Sequence, residues 1–256
     1  MTTPPSAATP TFHRDRSGQA HASSQPLATA GTLDVRIVDV KALQGDGNII
    51  TSQHKIPTLP IFENAFSAFA RGTPLQTSAG FVAIEDLQPG DRVLTVDGSA
   101  RQVAWIGSAC FAPSDRSRRH VVTRLMADCF GINRPDSFLS LGPAARLLQT
   151  PPHLRAETGG KQRMTLASGF VDGVNIIEVT PPTPVRMFHL SLDRHTAVIA
   201  GGLEVETYHP GVDPMRPLSH TLQSVFLSLF PHLTDISAFG PMAYDRTDEE
   251  GDPTPV

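Results

Sequence analysis

The sequence predicts an all-β domain followed by one helix, and three observations lead to this prediction. Short segments rich in β-branched and aromatic residues recur along the chain, separated by turns that contain Gly or Pro. Pro is abundant, with 23 residues among 256, which disfavours long helices. The one clear helical pattern, with apolar residues at helical spacing, lies near the C-terminus.

The N-terminal part is predicted to be a disordered arm. Residues 1–32 are rich in Ser, Thr, Ala and Pro, so burial of apolar groups cannot offset the entropy lost on ordering them. The arm extends over residues 1–58, with Val35–Val40 as one possible strand and the polar residues 41–58 as a loop. The β-domain is placed at residues 59–211, and residues 212–256 are expected to form a helix and an acidic tail.

The predicted β-domain begins at Leu59–Phe69, whose aromatic spacing suits one or two helical turns or an irregular buried segment. From Thr73 onward the sequence pattern predicts short strands. Asp97 and Gly98 indicate a type I′ hairpin turn, which needs positive φ at both residues. The predicted strands are Phe81–Ile84, Arg92–Val96, Arg101–Ile106, Val121–Leu125, Phe138–Leu141, Leu147–Thr150, Val174–Val179, Val185–Leu192, Thr196–Ala200 and Glu204–Tyr208.

The C-terminal helix is predicted from five apolar residues on one face: Leu218, Leu222, Val225, Phe226 and Leu229. Ser219 is suited to cap its start, and Pro231 ends it. Two hypotheses account for the apolar face of this helix: it docks on the β-domain, or it binds an unknown protein partner.

Composition excludes several other classes of partner. The net charge of −4 offers no basic excess to neutralise phosphates, so no nucleic-acid partner is expected. No segment reaches the ~20 apolar residues of a membrane helix, and the N-terminus lacks the apolar core of a signal peptide. The sequence therefore predicts no membrane association and a cytoplasmic location by default, while export by a leaderless route stays open.

No metal and no cofactor is predicted. Cys110 and Cys129 do not have the spacing of metal ligands, and both are interpreted as structural thiols. His189, His195 and His209 fall in neighbouring strand segments, but turns separate them and no HExxH pattern occurs.

Three segments together resemble one family. The first, AFARGTPLQTSAGFVAIEDLQPGDRVLTVDGSARQVAWIG, begins at Ala68 and is similar to the Cys-Phe-x-x-Gly-Thr opening of bacterial Hedgehog/intein (Hint) domains and the strands after it. The second, SFLSLGPAARLLQ, is similar to a Leu-x-Ser-Pro-x-His-Arg-Leu-Leu block. The third, VRMFHLSLDRHTAVIAGGLEVETYHPG, is similar to the last block of that family and ends at Gly211.

This resemblance implies an all-β Hint-like fold and an intramolecular chemistry. In Hint domains the first residue, Cys or Ser, attacks the carbonyl that precedes it and converts an amide into a thioester or ester. A histidine of the middle block protonates the leaving amine. Inteins then cyclise a terminal Asn, whereas Hedgehog-type members pass the ester to an external nucleophile.

The chain departs from this pattern at the decisive positions. The nucleophile position aligns with Ala68, the middle-block histidine with Ala145, and the terminal His-Asn of inteins with Glu206-Thr207. Losing a general acid alone typically costs about 10²–10⁴ in rate, and losing the nucleophile removes the covalent route. The sequence therefore predicts a degenerate Hint domain that acts as a structural or interaction module rather than an enzyme.

The alternative is an autoprocessing domain that cleaves itself near residues 66–68. Ser67 could replace the missing nucleophile through a shift of one residue, or a distal thiol could do so. His195 aligns with the last-block histidine of inteins and is the candidate acid or base; the competing interpretation is a hydrogen-bonded structural histidine.

Overall fold

Short antiparallel strands make up most of the described structure. A computed structural model describes residues 34–113, 121–157 and 159–247, within one unit of the chain, Leu33–Val256. The helices are α1 (Pro60–Glu63) and α2 (His220–Ser228), and single 3₁₀ turns lie at Asn64–Phe66, Pro152–Leu154, Ala167–Phe170 and Ile236–Phe239. The strands are β1 (Val35–Leu43), β2 (Ile49–Pro57), β3 (Phe69–Ala70), β4 (Pro74–Thr77), β5 (Gly80–Ala83), β6 (Arg92–Leu94), β7 (Ala100–Phe111), β8 (Val122–Leu125), β9 (Leu139–Leu141), β10 (Arg146–Leu148), β11 (Met164–Leu166), β12 (Ile176–Val179), β13 (Val185–Leu192), β14 (Ala197–Ala200) and β15 (Leu203–Glu206).

The prediction of an all-β fold with a C-terminal helix is confirmed. Strand β13 has the predicted bounds, and the other predicted strands shift by a few residues at their ends. The predicted arm at residues 1–32 and the end of the tail at 248–256 lie outside the described residues. None of the helices in the described ranges is both long and apolar enough to cross a membrane.

Strand β7 connects the two halves of the strand network. Its first residues pair with β6, from Leu94↔Ala100 to Arg92↔Gln102. The rest of β7 pairs with β13 on one side and with β1 on the other. The main path of neighbouring strands runs β11-β10-β15-β14-β4-β6-β7-β13-β3-β9-β8-β12, with β1, β2 and β5 attached beside it. The segments around residues 68, 142 and 188 thereby meet in the middle of the network.

The loop predicted for residues 41–58 is wrong, because most of this segment forms the second arm of a β-hairpin. β1 and β2 pair along their whole lengths, from Val35↔Pro57 to Leu43↔Ile49. β2 is mostly polar and exposed, so it has little hydrophobic pattern of its own and forms by pairing with β1. Because β1 also pairs with β7, residues 34–58 are an ordered part of the β-structure rather than a disordered arm.

The turn after β6 also differs from the prediction. Of the two residues expected at positive φ, only Gly98 adopts it, at 77°. The Asp97 carboxylate instead accepts hydrogen bonds from the Ser99 N–H and the Thr95 hydroxyl. These side-chain bonds stabilise a longer turn from Thr95 to Ser99, so a type I′ geometry is not needed.

An apolar cluster surrounds Trp105, whose side chain is fully buried. Its indole N–H donates to the Leu229 carbonyl over 2.7 Å, and its ring lies 4.9 Å from that of Phe230. A Cβ added at Gly107 would lie 2.3 Å from the Trp105 ring, so a side chain there would displace the indole. Packing thus explains the Trp-Ile-Gly sequence at residues 105–107, in which Trp105 is a core residue.

Helix α2 docks on the apolar cluster around Trp105. The Ser219 side chain accepts a hydrogen bond from the Leu222 N–H, as expected of an N-cap. Phe226 and the following Leu229 and Phe230 are fully buried against the cluster that contains Trp105. Docking on its own domain is therefore the observed arrangement, and binding of a partner by this helix stays a prediction.

A buried ion pair fastens the β1–β2 hairpin to the start of the domain. The Arg36 guanidinium lies 2.9 Å from the Glu63 carboxylate, and the two side chains are 8% and 6% exposed. Arg36 also donates to the Cys110 carbonyl and lies 4.3 Å from the ring centroid of Phe111. The pair therefore connects β1, α1 and β7.

We expect Glu63→Gln to lower the free energy of unfolding by about 3–5 kcal/mol, because it removes the carboxylate charge that lies against the buried Arg36 guanidinium. Urea denaturation followed by Trp105 fluorescence measures this change. The matched control is Glu85→Gln, which breaks a pair with Arg71, a side chain that is 72% exposed. It should cost less than about 1 kcal/mol, and equal losses in both variants would contradict the assignment.

Candidate functional site

The two positions that lack the expected catalytic side chains lie in the core. Ala68 is fully buried and Ala145 is 1% exposed. The Ala68 N–H donates to the Phe188 carbonyl of β13 over 3.0 Å, and the preceding carbonyl of Ser67 accepts from the Ala144 N–H over 3.0 Å. The peptide bond at which self-cleavage would occur is therefore held on both sides by backbone hydrogen bonds.

Gly142 permits this arrangement by close backbone approach. Its N–H donates to the Ala68 carbonyl over 2.7 Å. A Cβ at position 142 would lie only 2.1 Å from the Ser67 carbonyl oxygen, so no side chain fits between the two segments. The Gly-Pro of this chain, where the family block has Ser-Pro, is consistent with this contact.

Ser67, the candidate substitute nucleophile, lies in the buried core. It is 1% exposed, and its hydroxyl oxygen has no hydrogen-bond partner within the described part of the chain. A serine nucleophile needs a base within hydrogen-bonding distance. The structure therefore does not bring Ser67 and His195 together as a nucleophile–base pair.

His195, the candidate acid or base, has both ring nitrogens engaged. Its side chain is 0% exposed, and Nε2 lies 3.0 Å from Oε1 of Glu206. Its Nδ1 accepts a hydrogen bond of 2.9 Å from the Ala243 N–H. Because Nδ1 is an acceptor, the ring proton is on Nε2 and is donated to the Glu206 carboxylate.

Glu206 is the centre of a buried charged cluster. Its carboxylate accepts from Arg246 Nε over 2.8 Å and lies 3.5 Å from Nη1 of Arg146. Burial raises the pKa of Glu206, but the hydrogen bond from His195 and the charges of Arg246 and Arg146 outweigh it and lower this pKa to about 2. Glu206 is therefore a carboxylate over the whole neutral range.

Burial favours the neutral form of the two other histidines of the group. Burial lowers the pKa of His189 to about 3, and burial also lowers the pKa of His209. The ring centroids of His195 and His209 lie 5.2 Å apart, but no set of three ligating side chains suited to a metal ion occurs among the residues described. The His189–His195–His209 grouping thus packs around Glu206 in a polar core.

A small cavity lies beside this cluster. Its volume is about 60 Å³, and its lining includes Asn64, Ala144, Arg146, His189, His209 and Arg246. Neither Cys110 nor Cys129 lines it, and neither forms a disulfide. Burial raises the pKa of the Cys129 thiol, which disfavours the reactive thiolate.

Sequence reasoning missed Glu206, Arg146 and Arg246 as members of one cluster. Glu206 was noted only as the replacement of an intein histidine, and Arg146 only as part of the middle block. Strands β14 and β15 pair as a hairpin, with Ala197 opposite Glu206, and this register could have placed His195 near Glu206. Nothing in the sequence places Arg246, 40 residues further on, at the same site.

The comparisons with known proteins agree with the family resemblance. A family model described as Hint domain matches residues 67–212 of the 256-residue chain. The protein is therefore a Hint domain protein and belongs to the Hint domain family. No curated protein matches the chain significantly.

Similar solved structures are inteins or intein-like domains. A bacterial intein-like domain from Clostridium thermocellum is 13% identical, with a TM-score of 0.40 over 56% of this chain and 99% of that one. The MchDnaB-1 intein is 16% identical, with a TM-score of 0.37 over 55% and 100%. The Msm DnaB1 intein splicing domain, solved with zinc bound, is 17% identical, with a TM-score of 0.36 over 55% and 100%.

The lowered pKa of Glu206 predicts how stability depends on pH. A carboxylate with a pKa of about 2 when folded and near 4.5 when unfolded stabilises the fold above pH 4.5. That contribution, about 3 kcal/mol, is lost as the pH falls from about 4.5 to about 2. Glu206→Gln should therefore be less stable than the unmodified chain by about this amount at pH 7, and the difference should shrink over that window.

Urea denaturation of both chains between pH 7 and pH 3 measures this difference. Glu178→Gln, on the exposed face of edge strand β12, is a control whose effect should be small at every pH. A gap between Glu206→Gln and the unmodified chain that is constant down to pH 3 would contradict the assigned ionisation.

Proposed function

We propose that this protein is a Hint domain that no longer cleaves itself and serves as a structural or interaction module. The observation that carries the proposal is the absence of a nucleophilic atom at position 68. Ala68 ends in a methyl group and is fully buried, so no side-chain atom there can attack the Ser67 carbonyl. Ala145 likewise has no proton to donate to a leaving amine.

The two candidate catalytic residues, Ser67 and His195, support the same proposal. Ser67 Oγ has no base within hydrogen-bonding reach among the described residues. His195 donates to Glu206 through Nε2 and accepts from Ala243 through Nδ1, so it has no nitrogen left for a proton transfer. His195 then has the role of a structural histidine, which is the alternative to the catalytic role that the sequence left open.

A binding role has to use surfaces other than the apolar side of α2. That side is buried in the cluster of Trp105, whereas His220, Ser224 and Ser228 of the same helix are exposed. A partner that binds α2 would therefore meet its polar side. The other segment proposed for partner binding, the Pro-rich arm, lies outside the described residues.

The purified full-length chain is expected to stay intact. After several days at neutral pH, with and without a strong thiol and hydroxylamine, intact-mass spectrometry should give one species of 27.5 kDa. The physical reason is that neither an ester nor a thioester can form at position 68.

Ser67→Ala is the matched control, and it should behave like the unmodified chain. A fragment that begins at Ser67 or Ala68 in the unmodified protein would overturn the proposal and favour autoprocessing. Loss of that fragment in Ser67→Ala would identify Ser67 as the nucleophile.

Restoring both missing groups is expected to restore cleavage. The Ser67 carbonyl still accepts a hydrogen bond from the Ala144 N–H, the type of contact that stabilises an oxyanion during acyl transfer. The double variant Ala68→Cys, Ala145→His should release a fragment that begins at residue 68 when hydroxylamine is added. Ala145→His alone should not, because it still lacks the nucleophile.

The comparison of the two single variants then ranks the two losses. Ala68→Cys alone should cleave about 10²–10⁴ more slowly than the double variant, which is the usual effect of a missing general acid. A double variant that folds but does not cleave would show that further positions have been lost.

A further inference from the structure

The segment from Ile236 to Thr247, which we call the strap, lies over the His195–Glu206 pair. It follows α2 and begins 24 residues after the end of the family match at residue 212. It starts with the 3₁₀ turn Ile236–Phe239 and continues without helix or strand, except for one bridge between Arg246 and Met164 of β11. The strap therefore lies outside the segment that matches the family model.

The first half of the strap packs on His209 and Tyr208. The Gly240 carbonyl lies 3.0 Å from His209 Nε2, which donates because Nδ1 accepts from the Gly211 N–H. The Phe239 ring meets the rings of Tyr208 and His209 edge-on at 5.8 Å each. These contacts hold the strap next to the charged cluster.

The second half of the strap contacts the pair directly. The Ala243 N–H donates to Nδ1 of His195, and the Arg246 side chain donates to Glu206 and to the His209 carbonyl. The Asp245 carbonyl accepts from the Met164 N–H over 2.9 Å, and the Thr247 N–H donates to the Met164 carbonyl over 3.1 Å. The far end of the strap is thus fixed to β11 and to Glu206.

The contact with Ala243 determines the chemical state of His195. A neutral imidazole whose Nε2–H is donated to a carboxylate has its lone pair on Nδ1, and the carboxylate orients the ring for use of that lone pair as a base. In this structure the lone pair accepts the Ala243 N–H instead, and the side chain is 0% exposed. The strap therefore occupies the one basic atom of the pair.

The middle of the strap is weakly held compared with its end. Arg246 is the only buried residue of the segment, and the residues from Phe239 to Ala243 are exposed or half-buried. Segments with few buried apolar contacts open locally at free energies well below that of global unfolding. Movement of residues 239–243 would leave Arg246 on Glu206, so the buried carboxylate would keep its counter-charge.

We propose that the strap is a reversible cover: residues 239–243 lift away while Arg246 stays bound, and the open form exposes Nδ1 of His195 as a proton acceptor oriented by Glu206. The proposal does not depend on the module function, since it concerns a second state of the same chain. Opening needs no covalent step, because only the contacts of Phe239, Gly240 and Ala243 are broken.

The test is the chemical accessibility of individual histidines in the full-length chain. Diethylpyrocarbonate modifies unprotonated, accessible imidazoles, and peptide mapping by mass spectrometry gives the rate at each one. His220, which is exposed at the start of α2, is the internal reference. Two variants loosen the cover independently: Ala243→Pro removes the donor to Nδ1, and Phe239→Ala removes the aromatic anchor.

Both variants should raise the modification rate of His195 relative to His220 by about tenfold, the effect expected when one hydrogen bond or one packing contact is lost from the closed form. Thr247→Ala is the matched control, because it changes the strap at a contact with Thr165 and not at His195. Its His195 rate should stay within about twofold of the unmodified chain.

His189 distinguishes opening of the strap from unfolding, since its ring is buried against those of Phe69 and Tyr208. An unchanged His195 rate in both loosened variants would overturn the proposal. A parallel rise at His189 and His195 would also overturn it, because His195 would then be reached only through global unfolding.

Discussion

The buried carboxylate of Glu206 sets the constraint on which the described polar core depends. An isolated ionised carboxylate in a protein interior is strongly destabilising, so charged partners have to surround it. Here β10 contributes Arg146, the segment before β14 contributes His195, and the strap contributes Arg246. One side chain at the end of β15 thereby fixes the relative positions of three segments that are distant in sequence.

The same constraint explains why the region after the family match is part of the domain. Arg246 lies 34 residues beyond position 212, yet it is as buried as the core strands. Helix α2 is anchored in a similar way, because the Trp105 indole donates to the Leu229 carbonyl. A chain ending at residue 212 would lose a counter-charge of Glu206 and the cover of Trp105 together, so the C-terminal segments cannot be treated as a separable tail.

The sequence predicted the elements whose own residues carry a pattern. β13 is rich in large apolar residues and α2 has an apolar face with a serine cap, and both were placed correctly. β2 was not predicted because most of its residues are polar and it forms by pairing with β1. The type I′ turn predicted at Asp97-Gly98 was wrong, because hydrogen bonds from Thr95 and Ser99 to the Asp97 carboxylate stabilise a different turn.

For the site, the limits were of another kind. Ala68 and Ala145 could be identified as departures from the family pattern by alignment with its motifs. Local sequence carries no signal of three features that depend on contacts across tens of residues. These are the burial of Ser67, the hydrogen bonds at both ring nitrogens of His195, and the position of Arg246 beside Glu206. The strap has neither helical nor strand periodicity, which is why it was expected to be only part of a helix and tail.

The backbone around position 68 is held in place by hydrogen bonds of the sheet that do not involve the side chain at that position. The Ala68 N–H continues the pairing of β3 with β13, and the Gly142 N–H binds the Ala68 carbonyl next to the pairing of β3 with β9. Breaking these bonds would leave buried polar groups unpaired, at a cost of about 1–3 kcal/mol each. Replacing a nucleophile by Ala at this position costs no such bond. The backbone geometry around position 68 is therefore set by the pairing of the sheet, and none of these bonds constrains the side chain there.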